Sequence, residues 1–214
     1  MGNDRQSLKL ANFVLNLNIN CVFIFAGSID EYGGLEYPDE MTDLSNLAHS
    51  PYAFWKIKTG KELHRLFLNH PRISFSHLRI CYLFGRGQRR ETLLPVLLNR
   101  DVYEYKIIHS EFLRDLMWVE DFSYNLVNLL KLNDIPSIIN FGRGESIYWR
   151  NFISKAWVIA GKKPKKLMFR ESSNSTESLF RPHMNIELIK GLLGEQYYVS
   201  SLDDALMLIV SAIE

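Results

Sequence analysis

The apolar positions along the chain change period several times, and each change marks an element. Residues 6–17 place Leu8, Leu10, Phe13, Val14 and Leu17 near one face at helical spacing. The next run, NCVFIFAGS, is short, continuously apolar and ends in Gly-Ser. It predicts a buried parallel strand and a turn. Residues 33–48 carry Gly, Pro and several acids and read as a loop. Ser50 as N-cap and Pro51 as first helical residue open a predicted helix over 50–69. ISFSHLRICYLFG predicts a second buried strand running into a Gly-rich turn. A helix over 91–99 and the extended VYEYKII follow. EFLRDLMWVEDFSYNLVNLLKL then reads as a strand and a helix capped near Glu120 or Asp121. SIINFGRGES predicts another strand and turn, and residues 148–160 a helix stopped by Gly161. The tail holds a short strand near 167–169, a polar segment at 171–178, and helices near 185–193 and 201–213.

Strands alternating with helices predict an α/β protein with a mostly parallel sheet. Ligands in such sheets sit at the carboxyl ends of strands, which points to the turns after Ser28 and after Phe84.

Length and composition narrow the picture. The 214 residues suffice for one domain with a core, or a domain plus a small lobe. A net charge of +1 removes the global electrostatic case for nucleic acid or an anionic membrane. There is no run of 18 apolar residues and no secretory leader pattern, and Arg5 and Gln6 stand where a myristoylation motif needs Ser or Thr. Cys21 and Cys81 lie in apolar runs and read as buried strand thiols, which suits a cytoplasmic protein. The six His are scattered without ligand spacing, so no metal is expected. Trp55, Trp118, Trp149 and Trp157 read as packing residues, with Trp55 also a candidate pocket wall. GKKPKK at 161–166 reads as a solvated basic loop.

Candidate chemistry centres on SPYAFWK, where Tyr52 and Lys56 stand one helical turn apart. Chance alone supplies roughly 0.6 such pairs in a chain of this composition, so the motif needs context. Ser28, at the end of a predicted strand, supplies it. A Tyr phenol ionises near pH 10, too high for a good base at neutral pH, and a nearby ammonium favours the phenolate. A Ser hydroxyl can hold the substrate oxygen beside it. Together the three can move a proton on or off a carbinol while hydride leaves or arrives.

Six segments in order then resemble the extended short-chain dehydrogenase/reductases, in the NAD-dependent epimerase/dehydratase family that acts on nucleotide sugars. They are FIFAGSIDEYGG, SPYAFWK, LRICYLFGRGQ, LRDLMWVEDFSYNLVNLL, INFGRGESIYWRNFISKAWVIAG and RPHMNIELIKGLLGEQYYVSSLDDAL. The resemblance implies Tyr52 as general acid/base. It implies Lys56 as the residue that lowers its pKa and holds the nicotinamide ribose, and Ser28 as the holder of the reacting oxygen. Tyr82 stands at a cofactor-side position where the family often has Asn. Arg114 and Arg181 match positions that contact the nucleotide diphosphate, a role suited to the Arg fork. Asn185 stands where an Asp is common.

The family's first half has no counterpart in this sequence. No Gly-x-x-Gly-x-x-Gly turn is present to cradle the dinucleotide pyrophosphate; GRGQRR and GRGES match later turns of the family. The strand at 20–27 is then expected to be an exposed apolar edge. The expectation is an α/β chain: a truncated Rossmann-type parallel sheet with helices plus a small C-terminal substrate-side lobe. Residues 1–110 would carry the Ser/Tyr/Lys constellation, and 111–214 would complete the sheet and form the lobe. By resemblance the cofactor is NAD or NADP and the substrate a nucleotide-diphosphate sugar, with a partner chain or upstream segment supplying the missing half and room for a homodimer. The alternative is a non-catalytic remnant or partner-binding subunit of the same fold.

Overall fold

The computed structural model describes residues 2–211 except 90, 100, 101, 103, 109–111, 164–166 and 171–182. Helix α1 (Gly2–Asn16) leads into strand β1 (Cys21–Ala26), and helix α2 (Pro51–Phe67) into β2 (Ile73–Ile80). With β6 (Ile138–Phe141), these strands form a parallel sheet in the order β1-β2-β6. Phe23 faces Phe75 and Ala26 faces Leu78 in the β1–β2 register; Leu78 in turn faces Ile139. The Ser50 hydroxyl accepts the Ala53 N–H at 3.1 Å and Pro51 fills the first turn, as the sequence predicts.

Helices α1 and α2 cover one face of this sheet. Ala11, Leu63 and Phe67 close over Phe23, Phe25, Ile73 and Phe75. The aromatic rings stack, Phe23 on Phe67 at 4.8 Å and Phe67 on Phe75 at 5.8 Å between centroids. The buried face of α1 is centred on Ala11 with Leu8, Val14 and Leu15, whereas Leu10, Phe13 and Leu17 are exposed. Of the predicted face, Leu8 and Val14 pack on the core and Leu10, Phe13 and Leu17 do not. β1 buries Phe23 and Phe25 but leaves Val22 and Ala26 exposed and Cys21 half-buried. It is an alternating edge strand, not a strand buried throughout, because β2 is its one neighbour in this sheet among the described residues.

ISFSHLRICYLFG is two strands where the sequence predicts one. β2 ends at Ile80, and β3 (Tyr82–Phe84) leaves to pair with β5 (Leu113–Trp118). Cys81 at the break is buried beside Asp115, and its backbone N–H bonds to Phe141 O at 2.9 Å. β5 also pairs antiparallel with β7 (Ser146–Tyr148), a strand the sequence pattern did not suggest. Helix α3 (Leu93–Leu98) is shorter than expected. Helix α4 (Val119–Leu129) starts from Trp118, two residues before the expected cap, with Glu120 and Asp121 in its first turn. Helix α5 (Trp149–Ile159) ends before Gly161, whose φ of 72° suits glycine.

β4 (Tyr105–Ile108) pairs in parallel with β8 (Leu167–Arg170). Helices α6 (Glu187–Leu193) and α7 (Leu202–Ser211) finish the chain. Phe84, Leu97, Leu116, Phe152, Trp157 and Leu206 form the core beneath the β3-β5-β7 sheet. Trp118 and Trp157 are buried and Trp149 stacks on Phe152 at 5.5 Å. Among the described residues no helix is long and apolar enough to cross a membrane.

Gly60 lies in α2 against the His77 ring. A Cβ there would come within 2.4 Å of Cε1 and 2.5 Å of Nδ1. Alanine is the better helix former by about 1 kcal/mol, but the ring is buried and cannot give way. Gly60→Ala is expected to lower stability by about 1–3 kcal/mol, read as a fall in the urea midpoint; a rise would mean that propensity wins.

Candidate functional site

The carboxyl end of β1 feeds a short 3-10 turn, Ile29–Tyr32, capped by Ser28. Ser28 Oγ accepts the Asp30 N–H at 3.1 Å, while Glu31 Oε1 accepts the Ser28 N–H at 2.8 Å. This reciprocal capping box fixes Ser28 at the strand end. Tyr52, in the first turn of α2, presents a half-exposed ring to the same place. Burial pushes its phenol up, hydrogen bonding from the Ser28 side chain pulls it down, and the charges of Asp30 and Glu31 push it up again; the net direction is up.

Lys56 lies one turn further along α2. Its Nζ donates to Ala26 O at 2.7 Å and stands 5.5 Å from the centre of the Tyr52 ring and 5.1 Å from that of Phe25. The β1 carbonyl therefore fixes the ammonium at the strand end. It lies over the Tyr52 ring, and the phenol is not drawn below its usual range.

Tyr82, at the start of β3, reaches across to this turn. Its hydroxyl donates to Asp30 Oδ1 at 2.7 Å and accepts from Arg114 Nη1 at 3.1 Å. The Arg114 guanidinium also lies over the Tyr82 ring at 4.6 Å and over Phe112 at 5.3 Å. Ser28, Tyr52, Lys56, Tyr82 and Arg114 thus gather where β1, β3 and β5 meet the 28–32 turn. Arg181 lies outside the described residues.

The structure adds residues the sequence reading missed. Asp30 links Tyr82 to the Ser28 turn and faces Tyr52 through space. Behind it lies a buried ionic cluster of Glu31, His77 and Arg79. His77 Nε2 stands 3.0 Å and Arg79 Nε 3.6 Å from the Glu31 carboxylate. Arg79 Nη1 donates to the Tyr32 hydroxyl at 2.7 Å, and that hydroxyl lies 2.5 Å from Asn140 Oδ1. Burial pushes the Tyr32 phenol up to about 12 against the opposing pull of Arg79, so it stays protonated. The signals in the sequence were the Ser28-x-x-Glu31 spacing of a capping box and polar residues inside an apolar run: His77 and Arg79 alternate on one side of β2.

A second buried carboxylate ties β5 to the turn after β6. Asp115 accepts the Arg143 N–H at 2.8 Å and the Gly144 N–H at 3.2 Å, and Tyr197 donates to the Gly142 carbonyl in the same turn. Burial pushes Asp115 up to about 6 against those hydrogen bonds.

Solved structures share this fold. The chain superposes on the NAD-dependent NDP-hexosamine 5,6-dehydratase TunA of tunicamycin biosynthesis with a TM-score of 0.82 at 19% identity, covering 98% of this chain and 68% of that one. The UDP-glucose 4-epimerase of Thermotoga maritima, solved with UDP-glucose, gives 0.79 at 20% identity over 97% of this chain and 67% of that one. The dTDP-glucose 4,6-dehydratase of Bacillus anthracis, solved with NAD, gives 0.76 at 17% identity over 96% and 65%. The chain has the fold of these nucleotide-sugar enzymes. It spans about two thirds of their length. No protein-family model and no curated protein matches the sequence.

The raised Asp115 makes stability depend on pH. Between the usual value of 3.8 and about 6 the folded chain holds a proton that the unfolded chain has released. This contribution is therefore full below 3.8 and lost as the pH rises through about 6. Asp115→Asn is expected to flatten the decline of melting temperature across that window. An unchanged slope would assign the pH dependence to other groups.

Proposed function

We propose that this chain carries the proton-transfer half of an NAD(P)-dependent enzyme that oxidises, epimerises or dehydrates a nucleotide-diphosphate sugar. The observation that carries the reading is the convergence of Ser28, Tyr52 and Lys56 at the carboxyl end of β1, with Lys56 Nζ anchored on Ala26 O. Ser28 holds the sugar oxygen, Tyr52 exchanges its proton, and Lys56 keeps a positive charge one turn away. Asp30, which accepts the Tyr82 hydroxyl, adds a carboxylate beside them. Arg114, stacked on Tyr82, is placed to take the diphosphate, and Arg181 joins it by resemblance.

NAD or NADP would supply the hydride acceptor. Tyr52 and Lys56 fit its ribose, and Tyr82 borders the same space. The fit stops there, because no Gly-x-x-Gly-x-x-Gly turn in this sequence cradles the pyrophosphate. Among the described residues β1 pairs on one side alone, and strands from another chain or from upstream sequence would dock on its other edge. A second reading, a partner-binding fold without catalysis, is favoured by the Tyr52 phenol, which is pushed up where a base should be drawn down.

The test is NADH titration calorimetry on the 214-residue chain, with circular dichroism showing that it folds. The same titration follows with a co-expressed polypeptide that supplies a strand, the Gly-rich turn and a helix. The expected result is no binding alone and micromolar binding when complemented. Turnover of a nucleotide sugar should then fall by about 10²–10⁴ in Tyr52→Phe. A complemented chain that binds NADH yet turns over no nucleotide sugar supports the non-catalytic reading.

A further inference from the structure

The Tyr82 hydroxyl stands between two charged side chains from different parts of the fold. It lies 2.7 Å from Asp30 Oδ1, in the turn capped by Ser28, and 3.1 Å from Arg114 Nη1, on β5. A hydroxyl has one hydrogen to give. An ionised carboxylate accepts and a guanidinium donates, so that hydrogen goes to Asp30 and a lone pair faces Arg114. Both bonds are charge-assisted, and each fixes the direction of the other.

Ring contacts place the rest of the guanidinium. Its carbon lies over the Tyr82 ring at 4.6 Å and over that of Phe112 at 5.3 Å. Tyr82 is itself pinned from two sides. It stands opposite Leu116 of β5 in the β3–β5 register, and its side chain reaches the turn that follows β1. β3 and β5 belong to one sheet and β1 to another. Through one phenol, Arg114 is therefore held by a strand of its own sheet and by a turn from the other.

We propose that Tyr82 is a positioning residue, whose hydroxyl ties the Arg114 guanidinium to the Ser28 turn and so orients it to receive a diphosphate. The benefit to a diphosphate rests on the role given to Arg114 above. The hold on the guanidinium does not, and it is measurable without a ligand.

Charge and positioning act in opposite directions at Asp30. Its carboxylate repels an incoming diphosphate, so on charge alone Asp30→Ala tightens binding. As the acceptor that fixes the Tyr82 hydroxyl, Asp30 keeps Arg114 in place, and its loss weakens binding. Tyr82→Phe isolates the hydroxyl, because the ring beneath the guanidinium remains.

The experiment has two arms on the 214-residue chain, with circular dichroism showing that each variant folds. In the first, ¹⁵N NMR follows rotation of the Arg114 guanidinium about its Nε–Cζ bond, with the signal assigned from Arg114→Ala. Tyr82→Phe is expected to speed that rotation about tenfold, and an unchanged rate overturns the proposal. In the second, UDP is titrated calorimetrically. Tyr82→Phe is expected to weaken its binding about fivefold. Asp30→Ala should weaken it too, with the double variant no weaker than Tyr82→Phe alone. Tighter binding by Asp30→Ala, losses that multiply in the double variant, or unchanged binding by Tyr82→Phe where Arg114→Ala weakens it each overturn the proposal. UDP binding that is absent, or indifferent to Arg114→Ala, refutes instead the assignment of Arg114 to the diphosphate, and the rotation rates then decide the hold by themselves. Should Asp30→Ala not fold, Tyr82→Phe decides in both arms.

Discussion

A carboxylate with no access to water dictates the arrangement around it. Glu31 is sealed between β1, β2 and α2, and an unpaired charge there would cost several kcal/mol. It is tolerated because Ser28 N–H from its own turn and His77 and Arg79 from β2 converge on it. Taking any one partner away leaves a buried ion short of compensation. The turn that carries Ser28 therefore cannot shift independently of β2. Arg79 continues the constraint through Tyr32 to Asn140 on β6, so the polar chain links the turn after β1 to β2 and β6.

The sequence revealed the elements better than their burial. Ser50 and Pro51 announced α2 because capping chemistry is local and specific, and Gly161 announced the end of α5 for the same reason. The face of α1 was read too broadly: Leu8 and Val14 pack as expected, but Leu10, Phe13 and Leu17 have helical spacing as regular as that of the residues around Ala11, and only the neighbouring helix decides between them. The ISFSHLRICYLFG run looked continuous because hydropathy does not register a change of partner. β2 pairs with β1 and β6, and β3 turns away to β5.

The candidate site was legible through Ser28, Tyr52 and Lys56, whose residue types carry recognisable chemistry, and through Tyr82 and Arg114 by resemblance. Asp30, Glu31, His77 and Arg79 were not, because each makes sense only beside partners far away in sequence. Glu31 meets His77 46 residues later, and Tyr32 meets Asn140 across 108. Two of the buried carboxylates hold turns against the sheets. Glu31 anchors the turn after β1, and Asp115 anchors the turn after β6; the candidate residues sit at the seam between the β1-β2-β6 and β3-β5-β7 sheets.

The cage around His77 also restricts the order in which this region can change. Neither Gly27 nor Gly60 has space for even a methyl group while the imidazole is in place. A lineage that fills Gly60 must first shrink His77, which strips Glu31 of a partner, and one that fills Gly27 must also move Glu31 Oε1, 2.5 Å from the added carbon. Each single step is unfavourable even where the combined change packs well. The three positions form a sequence-level lock, in which the fitness of a substitution depends on what preceded it.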